Sequence, residues 1–176
     1  MENRKVLNKV IPYAAIILLA VISRLLPHPP NFAPIAGLAL FSGSHFKKKV
    51  ALLIPISAMI FSDLFLGWHS TLVYVYASFV VITLIGSRLS QKPNGKSLAL
   101  ASFFSSILFF LVTNFGVWLS GGLYPKTLGG LHQSYLMALP FFRNTILSDL
   151  LYTFSFFYGF EYIMILWRKI LLRSTT

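Results

Sequence analysis

Long apolar runs alternate with short clusters of basic, proline and glycine residues along the whole chain. Runs of this length and spacing predict helices over about 10–26, 32–46, 50–66, 71–89, 98–119 and 140–167. The break between the first two helices reads Arg24-Leu-Leu-Pro-His-Pro-Pro-Asn-Phe-Ala-Pro34 and holds four prolines. Proline lacks an N–H and fixes φ, and it pushes the residue before it toward extended geometry, so this break is a stiff connector. The second helix is short for a membrane span, which takes about 20 residues. Its Ala33/Gly37 and Ala39/Gly43 pairs are four apart, the small-residue spacing of closely packed helices. Pro55 falls inside the third helix. Residues 120–139 read as a long connection with two Gly pairs, and its apolar piece from 131 to 139 suits a short re-entrant helix.

Composition fixes the class. The 176 residues are 56% hydrophobic and only 11% charged, with a mean hydropathy of +0.75, whereas soluble domains carry roughly 25% charged residues. The expectation is an all-α integral membrane protein, one domain over 1–176, built as a six-helix bundle. A net charge of +11 would suggest nucleic acid in a soluble chain. Here the basic residues sit between apolar runs, no nucleic-acid-binding motif is present, and no nucleic-acid partner is expected.

The charges instead set orientation. Arg4, Lys5, Lys9, Lys47, Lys48, Lys49, Arg88, Lys92, Lys96, Arg168, Lys169 and Arg173 fall on one side of a six-span chain, and Arg24, Lys126 and Arg143 on the other. The positive-inside rule then puts both termini in the cytoplasm. Trp68, Trp118 and Trp167 fall at the boundaries, as an interfacial aromatic belt predicts. The first run imitates a signal peptide, but no Ala-x-Ala-like site follows it, so it reads as an uncleaved helix.

Candidate chemistry gathers at the outer end. Arg24, His28, Asn31, Asp63, His69, Asn114, Trp118, Tyr124, Arg143 and Asn144 are the candidate substrate-binding residues, with His132 and Asp149 nearby. Ionisable groups in a span usually face the bundle interior or a cavity. Each has a plainer reading beside this one. Arg24 can pair with Asp63 to join helices 1 and 3, His28 can cap a helix end, Asp63 can bond loop N–H groups, and Asn144, Ser148, Tyr152 and Ser155 can serve as interhelical glue. Three outer histidines suggest a metal or a metal-bearing ligand, although none has the i,i+4 spacing of a metal site. The chain has no cysteine, no phosphate-binding loop and no nucleophile elbow, so neither an enzyme nor a resident cofactor is expected. Ser62-Asp63-Leu64 and Ser148-Asp149-Leu150 echo each other, each after a proline, as halves of an inverted repeat can.

The proline motif, Ala39-Leu-Phe-Ser-Gly, Ser62-Asp-Leu-Phe-Leu-Gly-Trp-His, Thr113-Asn-Phe-Gly-Val-Trp, Tyr124-Pro and Leu139-Pro-Phe-Phe-Arg-Asn-Thr resemble a small bacterial integral membrane family. That family is similar to the S components of energy-coupling-factor transporters, nearest the solitary cobalamin-type members. The resemblance implies capture of a vitamin or other micronutrient by outer loops and helix ends, with a corrinoid as the first candidate. It implies transport either by toppling of the whole bundle, since the solitary members lack a dedicated ATPase module nearby, or with an associated energising transmembrane and ATPase module as partner. Two departures stand out. Cobalamin-type members can use a cysteine near the start of helix 4 to ligate cobalt; here His28 or His69 substitutes, or the ligand differs. Ala14, Ala15 and Ala20 do not make the Ala-xxx-Ala by which helix 1 of an S component docks its coupling subunit. The alternatives are a proton- or ion-coupled secondary transporter using Asp63 and Asp149, and a non-transporting membrane scaffold.

Overall fold

The computed structural model describes the backbone of residues 2–173, and their side chains apart from 2–10, 12, 16, 168 and 170–173. The side chains of Arg4, Lys5, Lys9, Arg168 and Arg173 thus lie outside the described residues. Six helices occur among the described residues: α1 Glu2–Leu25, α2 Ile35–His45, α3 Lys48–Leu66, α4 Leu72–Gly86, α5 Gly95–Ser120 and α6 Leu128–Arg173. No strand occurs among the described residues. Three stretches are long and apolar enough to cross a membrane: Lys48–Leu66, Gly95–Ser120 and Leu128–Trp167.

The exterior is what a bilayer requires. Leu18, Leu19, Leu53, Phe61, Leu64, Phe65, Leu84, Phe104, Leu147 and Leu151 are exposed, while Ser62, Ser102, Ser105, Ser106, Ser148 and Thr153 are buried. Most of these inward hydroxyls answer their own helix. Ser105 donates to the Ala101 carbonyl and Ser106 to that of Ser102, so buried polarity here is largely local satisfaction.

The centre of the bundle is α2. Nine of its eleven residues, Ile35 to Gly43, are buried, and it is packed against α3, α4, α5 and α6 as well as α1. At 1.5 Å per residue it is about 16 Å long, half a bilayer core. A helix this short is admissible because it meets protein, not lipid, along its whole length. Two glycines bring it close to its neighbours. A Cβ on Gly37 would lie 2.8 Å from the Thr153 backbone nitrogen, and one on Gly43 would lie 2.8 Å from the Ser87 nitrogen. The small-residue spacing therefore serves two interfaces, Gly37 toward α6 and Gly43 toward α4.

Pro55 is accommodated by the same helix. Its missing N–H leaves the Ala51 carbonyl without its helical donor, and the Ser42 hydroxyl of α2 donates to that carbonyl at 3.0 Å.

The last helix departs from the sequence expectation. Residues 128–139 are not loop or a separate re-entrant helix but the first turns of α6, which runs through Pro140. Here Ser134 and Tyr135 hold the segment to α5, donating to the Asn114 and Leu111 carbonyls at 3.4 and 2.9 Å. The remaining connection is short, and Lys126 secures it by donating to the Trp118 and Leu119 carbonyls at the end of α5.

Candidate functional site

The connector is a built turn, not a slack link. The Phe32 N–H donates to the Pro29 carbonyl at 3.0 Å, and Asn31 sits between them at φ 61°. Proline at the second position and a left-handed third residue define a type II turn, in which Asn is one of the few non-glycine residues at ease. Asn144 of α6 donates to the Pro30 carbonyl at 3.0 Å. Ser148 approaches the Ala33 carbonyl at 3.3 Å. The connector is thereby fixed against α6 just above the start of α2.

Arg24, at the end of α1, closes the other side. Its Nη2 donates to Asp63 Oδ1 at 2.8 Å, and its Nη1 donates to the Ser62 hydroxyl. Tyr76 of α4 donates to Asp63 Oδ2 at 2.8 Å. Asp63 is 1% exposed, so a buried carboxylate is met by a cation and a phenol from two other helices. This is the structural pairing that α1 and α3 allow, completed by a tyrosine that no polar pattern marks.

Between these walls lies a cavity of about 210 Å³. Its polar lining is Arg24, His28, Asn31, Thr145 and Asp149. Ile35 and Ala36, the first residues of α2, form one side, and Met59, Val75, Phe79 and Phe109 add an apolar wall. The Phe79 and Phe109 rings are stacked with centroids 5.4 Å apart. Asp149 is 3% exposed. Among the described residues its partner is the Ser106 hydroxyl, which donates to Oδ2 at 2.7 Å; no cation pairs with it.

The other predicted site residues divide by where their side chains go. His28 lines the cavity, but its Nε2 lies 3.2 Å from the Arg24 carbonyl and its Nδ1 3.0 Å from that of Pro29, so the ring caps the end of α1. His69 is exposed and bonds Thr71 at 2.9 Å at the start of α4. Asn114 donates to the Phe110 carbonyl within α5 at 2.7 Å. Trp118 donates to the Pro125 carbonyl at 3.0 Å, and Tyr124 belongs to that same connection. Arg143 is exposed. None of these last five, nor Asn144, lines the cavity. Among the described residues no three His, Cys, Asp or Glu side chains meet as a metal site. Both Ser-Asp pairs of the tripeptide echo are buried, but Asp63 is held by Arg24 and Tyr76 and Asp149 by Ser106.

A larger cavity, about 400 Å³, opens at the opposite end between Tyr13, His45, Phe157, Phe160 and the 91–93 turn. Its charged rim is the Lys92–Glu161 pair at 2.6 Å, both partners well exposed. It holds no buried charge and none of the predicted site residues.

A model described as a family of unknown function, DUF6580, matches residues 4–170. The chain belongs to that family. No curated protein and no solved structure matches it. In this DUF6580 chain, Tyr76, Ser106 and Thr145 are the site residues that the sequence did not single out. Tyr76 lies in an unbroken apolar run, and Ser106 and Thr145 look like any small hydroxyl on a packing face. Asp149 was visible as an ionisable group in a span, but nothing in the linear pattern placed it beside Ser106 of α5.

Proposed function

We propose that this protein captures a small micronutrient from the outer side of a bacterial inner membrane, in the cavity beneath the proline connector. The observation that carries the reading is the pairing of a fixed, proline-braced rim with a buried carboxyl group, Asp149, whose one partner among the described residues is a hydroxyl. Burying such a group without compensation is expensive unless something else serves it. The six-span arrangement with both termini cytoplasmic belongs to the same proposal. It is supported by the clustering of basic residues at the end opposite the connector and by the apolar exterior. The resemblance to S components brings an energising transmembrane and ATPase module into the proposal as one route, with toppling of the bundle as the other, since helix 1 lacks the Ala-xxx-Ala of a docking S component.

The cavity's size bears on the ligand. Sites for drug-sized molecules occupy about 300–1,000 Å³, and about 210 Å³ is below that range. A small vitamin or metabolite is therefore favoured over a corrinoid, whose macrocycle would need the connector to swing away. His28 is turned to carbonyls and His69 is elsewhere, which also weighs against cobalt ligation.

A second reading, ion-coupled secondary transport, has one specific support: Asp149 is free to act where Asp63, held by Arg24 and Tyr76, is not. Calorimetric titration of the purified protein with B vitamins, a corrinoid, amino acids and transition metals tests the capture reading. One small ligand should bind with one-to-one stoichiometry, and Val75→Trp, which fills the cavity, should abolish it. Absence of binding across the panel refutes the proposal.

A further inference from the structure

The start of α2 is as unusual as Asp149. Pro34 occupies the N-cap position without a side-chain cap. The N–H groups of Ile35, Ala36 and Gly37 form no hydrogen bond among the described residues, and the first donor satisfied is Leu38, to the Pro34 carbonyl at 2.9 Å. Ile35 and Ala36 are 1% and 4% exposed. A helix end normally has its orphan donors met by side chains, water or a ligand. Its partial positive charge favours an anion.

Two features of opposite sign thus face one small cavity. One is the uncapped, buried end of α2; the other is the buried carboxylate of Asp149. Arg24 cannot neutralise the latter while its guanidinium serves Asp63 and Ser62. A simple anion would meet Asp149, and a simple cation would leave the α2 donors bare. Broken membrane helices use the first half of this combination, a half-helix N-terminus for an anionic substrate group. We propose that the ligand of this cavity is a small zwitterion with an apolar body, its carboxylate at the N-terminus of α2, its ammonium at Asp149, and its apolar part against Phe79 and Phe109. This inference rests on the capture reading and names its substrate class.

The test is calorimetric titration of the full chain in lipid nanodiscs with L-leucine, L-phenylalanine and γ-aminobutyrate, which span two charge separations. Each zwitterion is compared with its singly charged relatives; for leucine these are 3-methylbutylamine and 4-methylpentanoate. At least one zwitterion should bind, with both relatives at least about tenfold weaker, as loss of a charge-assisted hydrogen bond predicts. Asp149→Asn should weaken the zwitterion by a similar factor and leave the carboxylate-only relative no weaker. The analogue series needs no variant, so it stands even if Asp149→Asn fails to fold. Equal binding of a singly charged relative overturns the inference and leaves capture intact. So does binding of an uncharged or larger vitamin with no zwitterion bound. No binding of any small molecule removes both readings.

Discussion

Removing the Arg24 guanidinium isolates Asp63, and the size of that effect follows from the geometry. Asp63 is 1% exposed and the Arg24 side chain 13% exposed, with 2.8 Å between them. Leaving one partner of a buried pair uncompensated costs about 3–5 kcal/mol. Arg24→Met retains the Tyr76 hydrogen bond to Asp63 and the partial exposure of the site, so the lower end, about 3 kcal/mol, is expected. For a chain of this size each kcal/mol moves Tm by about 2–4 °C, giving a drop of about 6–12 °C. Replacing both partners by apolar residues, Arg24→Met with Asp63→Leu, removes the stranded charge, and most of the drop should be recovered. Tyr76→Phe should cost less, about 1.5–3 kcal/mol for a hydrogen bond to a charged group. The assay is thermal unfolding in detergent by tryptophan fluorescence, arranged as a double-mutant cycle. If Arg24→Met leaves Tm unchanged, or if the double variant loses the sum of the two single losses, the two groups are not a coupled buried pair and the account of this wall is wrong.

Three further outcomes follow from the packing. Asn31→Gly should keep Tm, whereas Asn31→Val should lower stability by about 1–3 kcal/mol, because a β-branched residue resists the left-handed third position of the turn. Gly37→Leu should lose the folded protein in detergent extraction or cost at least about 1–3 kcal/mol by overpacking, since its side chain would enter the α6 backbone. Ser42→Ala should cost about 1–3 kcal/mol by orphaning the Ala51 carbonyl. Pro55→Ala should recover that loss in the Ser42→Ala background, because it restores the helical donor, and equilibrium unfolding of the pair reads this directly.

What the sequence made legible was position along the bundle axis. Apolar length and basic clusters located the helices, and the proline run located the connector. The predicted residues Arg24, His28 and Asn31 do line one cavity. What it hid was rotation about each helix. Asn114, Trp118 and Arg143 belong to the same end of the chain's predicted topology, but Asn114 bonds its own helix, Trp118 the 120–127 connection, and Arg143 is exposed. Depth follows from hydropathy and charge, whereas azimuth needs the packing of α2, which is buried on all sides from Ile35 to Gly43 and so carries no preferred face. The start of α6 was hidden for another reason. Gly129, Gly130 and Pro140 are breakers in isolation, whereas in the fold Thr127 receives the Gly130 and Leu131 N–H groups at the start of α6 and Ser134 and Tyr135 bind the segment to α5.

The central claim is that the cavity under the connector holds a small molecule. Native mass spectrometry of the protein released from its own membranes tests it most directly, comparing wild type with Val75→Trp at matched thermal stability. A bound species of small-metabolite mass in the wild type, absent from the filled-cavity variant, is the predicted result. Identical spectra for the two proteins, both empty or both carrying the same species, would contradict it.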